Sequence, residues 1–294
     1  MTSVAALGAS SLLAEEPKSR DQLQEPVLRV SKKPDPAAGN APIKHPLDPA
    51  LEVAHNSLKL IRDTVTHYTA TLVKRERVNG TLNDYEYMFA KIRNRKKEGD
   101  EIKVPLAAYM YFLKPDSVKG REVLYVEKEN DGKMIAHEGG RLANFSPSVW
   151  LAPDGFIAMK GQLYPITEVG IENLVVRLIE KGERDRKRDE CQVEFRQNAK
   201  INKRSCTLLQ VVHPVRRAYF DFNLAQVFID DELKVPVRYA AYTWPADTET
   251  NPNPTPNNDT LLEEYTYLDL KLNPDLGTRA FDYTNPEYNF VRQK

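Results

Sequence analysis

The stretch Tyr68–Arg95, YTATLVKRERVNGTLNDYEYMFAKIRNR, decides how the chain is read. Its two arms are rich in β-branched and aromatic residues, and Asn79-Gly80 sits between them. That dipeptide supplies the positive φ angles a tight hairpin turn demands, so the stretch predicts two antiparallel strands. The second arm is apolar on both faces: Tyr85, Tyr87 and Phe89 alternate with Met88, Ala90 and Ile92. The next strand, within IKVPLAAYMYFLKP at 102–115, does the same, with Leu106, Met110 and Phe112 opposing Tyr109, Tyr111 and Leu113. A sheet with one wet face alternates more cleanly. This sheet is therefore covered on both sides or curved around something; the plainer alternative is a thick core whose tyrosines reach their hydroxyls to water.

Working outward, Pro105 places an edge or a bulge before the third strand. GREVLYVEKENDGKMIAHEGG at 120–140 is a further hairpin with NDGK at its tip, and SVWLAPDGFIAMKG is irregular. Strands resume at 191–197, 204–214, 218–230, 234–244 and 261–272, with a polar, proline-rich loop at 245–259. Two helices interrupt the strands. Over 48–66, Leu47, Leu51, Ala54, Leu58, Ile61 and Val65 form one stripe, with Asp48 as N-cap and Pro49 in the first turn. Over 168–182, Ile171, Leu174, Val175, Leu178 and Ile179 share a face, and Gly182 closes the helix. Hairpins require antiparallel pairing, so the class is α+β.

The 294 residues carry 42 Lys+Arg and 42 Asp+Glu, which gives zero net charge and no electrostatic case for a nucleic-acid partner. The basic run at 91–97 reads as solvated strand ends. No apolar run is long enough for a transmembrane helix. The first 14 residues are small and apolar, like the end of a secretory signal, and a proline- and charge-rich leader, expected to be disordered, follows to residue 46. The expected location is periplasmic or secreted.

Motifs for catalysis are sparse. His45, His55, His67, His137 and His213 fall in no metal-binding spacing, and neither a metal nor a cofactor is expected. His137-Glu138 invites an acid–base reading, against a plain reading in which Gly139 and Gly140 make a turn. Sequons occur at Asn79, Asn144 and Asn258. The two cysteines, Cys191 and Cys206, are too far apart for redox C-x-x-C chemistry. Each falls in a strand, and if NAKINK connects those strands the thiols face each other at about 4.5–5.5 Å between Cβ atoms. A disulfide there would stabilise by roughly 3 kcal/mol. The alternative is two buried thiols.

The segments YTATLVKRERVNG, GREVLYVEKENDGKMIAHEGG, VFIDDELKVPVRYAAYTWP and FDYTNPEYNF resemble an uncharacterised bacterial secreted family, domain of unknown function 1571, over most of residues 50–291. At one remove the layout resembles periplasmic lipoprotein-localisation carriers of the LolA and LolB type. That resemblance implies a strongly curved, incomplete antiparallel barrel over 47–294, with helices covering the concave face and an apolar cavity between. Leu58, Ile61, Tyr87, Phe89, Tyr109, Tyr111, Leu174 and Leu178 are the candidate cavity residues. The expected function is non-enzymatic binding of a lipid or lipoprotein acyl chain. The rivals are a cell-envelope interaction module with a filled groove and a hydrolase with a cryptic site.

Overall fold

A computed structural model describes residues 23–30, 45–140 and 147–290. Strands β1 (Leu28–Arg29), β2 (His67–Val78), β3 (Thr81–Leu82), β4 (Glu86–Arg93), β5 (Lys96–Glu98), β6 (Glu101–Val104), β7 (Ala107–Lys114), β8 (Glu122–Val126), β9 (Met134–His137) and β10 (Val149–Leu151) occupy the first half. Strands β11 (Gln192–Ile201), β12 (Arg204–Val212), β13 (Leu224–Asp230), β14 (Pro236–Tyr242) and β15 (Leu261–Leu272) occupy the second. Helix α1 (Asp48–Thr64) precedes β2, and α2 (Ile171–Asp185) separates the halves.

The strands form one 13-stranded antiparallel sheet, ordered β1-β11-β12-β13-β14-β15-β2-β4-β7-β8-β9-β10, with β3 beside β2 and β5-β6 a separate ribbon. Among the described residues its edge strands β1 and β10 do not pair, so the sheet there is an open, incomplete barrel with two α-helices, as expected. The halves join where the long strands β15 and β2 pair, from Glu263 opposite Glu76 to Leu272 opposite Tyr68.

Local chemistry sets the turns. Asn79 and Gly80 have φ of 50° and 82°, the hairpin geometry their identities favour. Pro105 falls in the break between β6 and β7, where no ladder bond needs its missing N–H. Residues 23–30, inside the stretch expected to be a leader, lie along the fold. Leu28 pairs with Ile201, and Leu23 is buried with Val73, Tyr87 and Leu113. Gly139 and Gly140 take the plain reading: a Cβ at Gly139 would collide with the Arg121 backbone.

Both helices pack on the sheet and on each other. Ile61 of α1 and Ile171 and Val175 of α2 share a cluster with Met88, Ala90 and Ile92 of β4. Tyr68 of β2 accepts the Ile171 N–H at 2.8 Å, giving a partner to one of the free donors at the start of α2. Two expectations about helix ends change. Leu47, not Asp48, stands at the N-cap, and the Asp48 carboxylate lies 2.6 Å from Arg186. Gly182 does not end α2, which runs on to Asp185. Its bare Cα lets the helices approach, because a Cβ there would lie 2.8 Å from Leu51 Cδ2. Gly182→Val is expected to destabilise the fold by about 1–3 kcal/mol through overpacking, visible as a lower urea midpoint, and Leu51→Ala should return part of it.

Candidate functional site

The concave face of the sheet, α2 and the segment 151–170 enclose a cavity of about 450 Å³. Ordinary strand register builds its floor. Leu72 of β2 lies between Tyr267 of β15 and Met88 of β4, Met88 faces Phe112 of β7, and Met110 faces Val123 of β8. Met134 and Ala136 of β9 complete that side. Leu174, Arg177, Leu178 and Lys181 of α2 form the roof, at the four-and-three spacing that puts residues on one helical face. Leu151, Pro153, Ile157, Ile166 and Val169 close over the mouth. Phe156, beside Ile157, is 88% exposed, and Ile157 itself is 68% exposed.

One end of the cavity is polar. Lys74 Nζ sits 3.2 Å from Glu76 and 3.3 Å from Glu86, and it also bonds Gln162. Glu76 accepts the Leu163 N–H at 3.2 Å. The Tyr265 hydroxyl lies 2.5 Å from Glu76 Oε1 and 3.2 Å from Glu263 Oε2. Tyr164, under the Arg177 guanidinium at 4.5 Å, and Tyr239 both face Glu263. Burial pushes the Glu263 carboxyl above its ordinary pKa, opposed by Lys181 and by bonds from Tyr164 and Tyr265. Among the described residues no group of three His, Cys, Asp or Glu side chains is placed to hold a metal ion.

The predicted cavity residues divide. Leu174 and Leu178 line the cavity. Ile61 is buried in the core beneath the helices, and Leu58 packs against that core. Tyr87, Phe89, Tyr109 and Tyr111 lie on the other face of β4 and β7, away from the cavity. There Tyr87 packs with Leu23 and Leu113, and Tyr109 stacks on Tyr288 with centroids 4.0 Å apart. The C-terminal segment straps this outer face. Phe281, Tyr288 and Phe290 cover it, Lys91 lies 5.1 Å from the Tyr288 ring centroid, and Asn289 donates to the buried Glu122. Tyr109 and Tyr111 thus pack against the chain's own C-terminal segment, and Tyr87 against Leu23 near its N-terminal side. Their alternation with Met88, Met110 and Phe112 was legible; which set faced inward was not.

The disulfide expectation is corrected: both cysteines are free. The hairpin turn falls at Asn202-Lys203, not in the centre of the cysteine interval. Cys206 therefore pairs with Ala199, and Cys191 lies beyond the Gln192–Val212 pair at the other end of the ladder. From position 206 to position 213 that ladder runs about 24 Å, far outside disulfide reach. Burial pushes both thiols up to about 11, so they are protonated and unreactive at neutral pH. Thiol titration under denaturing conditions should find two free thiols per chain.

His137 and Glu138 do not share a cleft. Glu138 pairs with Arg121 at the cavity, whereas His137, on the opposite side of β9, pairs in register with Glu122. A second histidine, His213, is fully buried 3.6 Å from Asp185 and stacked on Phe220 at 3.8 Å. Burial lowers its pKa, and the enclosing rings leave it no substrate access. The sequons at Asn79 and Asn258 sit in a turn and beside Arg75 and Arg77, while Asn144 lies outside the described residues.

The geometry defines an α+β protein in which an open, antiparallel half-barrel, helix α2 and the segment 151–170 enclose an amphipathic cavity. A family profile described as "Protein of unknown function (DUF1571)" matches residues 65–290, and the chain belongs to that family. A comparison with curated proteins gave no match. Among solved structures, the chain is similar to a putative outer membrane lipoprotein-sorting protein domain from Vibrio parahaemolyticus, at 12% identity and TM-score 0.36, covering 79% of this chain and 95% of that one. It is similar to a LolA superfamily protein from Nitrosomonas europaea, at 11% identity and TM-score 0.30, covering 79% and 96%. A DUF1329 family protein from Desulfovibrio piger matches at 11% identity and TM-score 0.35, covering 81% and 98%.

Proposed function

We propose that this is an extracytoplasmic binding protein that takes the apolar part of a lipid, or a lipoprotein acyl chain, into the cavity between sheet and α2. The observation that carries the reading is the cavity itself: about 450 Å³, floored by Leu72, Met88, Met110 and Phe112 and roofed by Leu174 and Leu178. That volume is in the range of small-molecule sites, and an apolar wall with few polar groups is their usual lining. Ile157, which lines the cavity, and its neighbour Phe156 are an exposed apolar pair over which a chain would enter. A groove filled by its own side chains, the rival module reading, would not hold this space. Among the described residues His137 and Glu138 do not share a cleft, so the pair that motivated the hydrolase reading is not assembled. With the disulfide gone, the extracytoplasmic location rests on the signal-like residues 1–14, which lie outside the described residues.

Native mass spectrometry after gentle purification from the source cells should show a co-purifying lipid. The emptied protein should take up a neutral fluorescent apolar dye such as N-phenyl-1-naphthylamine. Absence of both would sink the reading. Cell fractionation tests the location: a cytoplasmic protein retaining residues 1–14 would contradict it.

A further inference from the structure

The polar end of the cavity carries information the apolar walls do not. Tyr265 has one proton and stands between two carboxyls, 2.5 Å from Glu76 and 3.2 Å from Glu263. The shorter contact takes that proton, because Glu76 is the carboxylate already paired with Lys74. A charged Glu263 is then left with Tyr164 as its full donor, and the Tyr265–Glu263 contact closes as a full hydrogen bond when Glu263 is neutral and donates. Burial of Glu263, with no cation within ion-pairing distance among the described residues, acts in the same direction. Beside it, the Tyr239 side chain, 3% exposed, lines the cavity, and its buried hydroxyl faces Glu263 without closing a well-formed hydrogen bond. A buried hydroxyl left open costs free energy unless something fills its bond.

We infer that Glu263 and Tyr239 form a subsite for the polar end of the ligand, and that this end is neutral and hydroxyl-bearing, as in a glycerol ester, and not a free carboxylate. A hydroxyl can accept from Tyr239 and donate to the Glu263 carbonyl oxygen, satisfying both groups without adding charge. A carboxylate would sit beside the Glu76 carboxylate, where like charges repel. An ammonium would have to draw the proton from Glu263 and lie near Lys74 and Lys181. This inference rests on the cavity reading above and deepens it.

The test is displacement of N-phenyl-1-naphthylamine from the full chain by three amphiphiles of equal chain length: a 1-monoacylglycerol, a fatty acid and an alkylamine, at neutral pH. The monoacylglycerol should displace the dye at about tenfold lower concentration than the fatty acid or the amine. Tyr239→Phe should weaken the monoacylglycerol about fivefold relative to the dye. Glu263→Lys should turn the preference toward the fatty acid. Because each variant is judged by a ratio of ligands in the same protein, reduced stability cannot imitate the result. If the dye binds but the fatty acid or the amine equals or beats the monoacylglycerol, the subsite inference falls and the cavity reading stands. If no dye enters, the cavity reading falls.

Discussion

Arg238→Ala is expected to cost the fold about 3–5 kcal/mol. Arg238 of β14 is 3% exposed, and it pairs with Glu264 of β15, which is 4% exposed. A second guanidinium nitrogen donates to Thr266 Oγ1 at 2.7 Å. The pair lies beside the β15–β2 junction, where the two halves of the sheet become one. Removing the guanidinium leaves a buried carboxylate without its cation, and that orphaned charge, more than the lost attraction, makes the variant costly. Urea denaturation checks this, as a fall in midpoint at unchanged slope. The double variant Arg238→Met, Glu264→Leu should recover most of the loss, because no unpaired charge remains. A single-variant loss below about 1 kcal/mol would show that the pair is solvated in solution.

Leu174→Trp should abolish ligand uptake without unfolding the protein. Leu174 is a half-buried roof residue of α2 that faces the cavity across from the β4 and β7 floor. An indole there occupies the space an apolar chain would take and adds contacts with the floor. Dye affinity should fall about tenfold or more, with stability unchanged or raised. Tyr111→Ala makes the opposite case. Tyr111 packs in the outer-face clusters with the C-terminal strap, so its loss should lower stability and leave dye binding in place. If Tyr111→Ala abolished uptake while Leu174→Trp did not, the ligand would be bound on the outer face.

That pair of variants also marks the limit of what period-2 alternation can say. In β4 and β7 it separates Tyr87, Phe89, Tyr109 and Tyr111 from Met88, Met110 and Phe112 correctly. Alternation has no sign, however. Both sets are apolar, and aromatic residues suit a ligand wall as well as a strap site. What assigns the faces is where α1 and α2 dock on one side, and where Tyr288 and Phe290 return from about 180 residues away on the other. Likewise Cys206 lies in β12 and Cys191 immediately before the adjacent β11, close to what their flanking patterns indicate, but their register depends on the turn. Asn198 and Asn202 both adopt positive φ, and only Asn202 makes the turn; Asn198 lies in the ladder irregularity between Arg196 and Ala199. A four-residue displacement of the turn carries one thiol the length of the ladder.

The sequence by itself determined the class of the protein: Asn79-Gly80 and the 130–132 tip fold their hairpins, the 3.6-residue stripes make α1 and α2, and successive hairpins make the sheet antiparallel. These are local matters, set by φ preferences and side-chain periodicity within a dozen residues. The tertiary structure alone decided that the sheet curves toward its methionine face and that the cysteines stay apart. It also decided that Glu76, Tyr239, Glu263 and Tyr265 converge at one end of a cavity. Those outcomes depend on pairings across the β15–β2 seam and on which surface each helix buries, and no short-range signal in the chain encodes them.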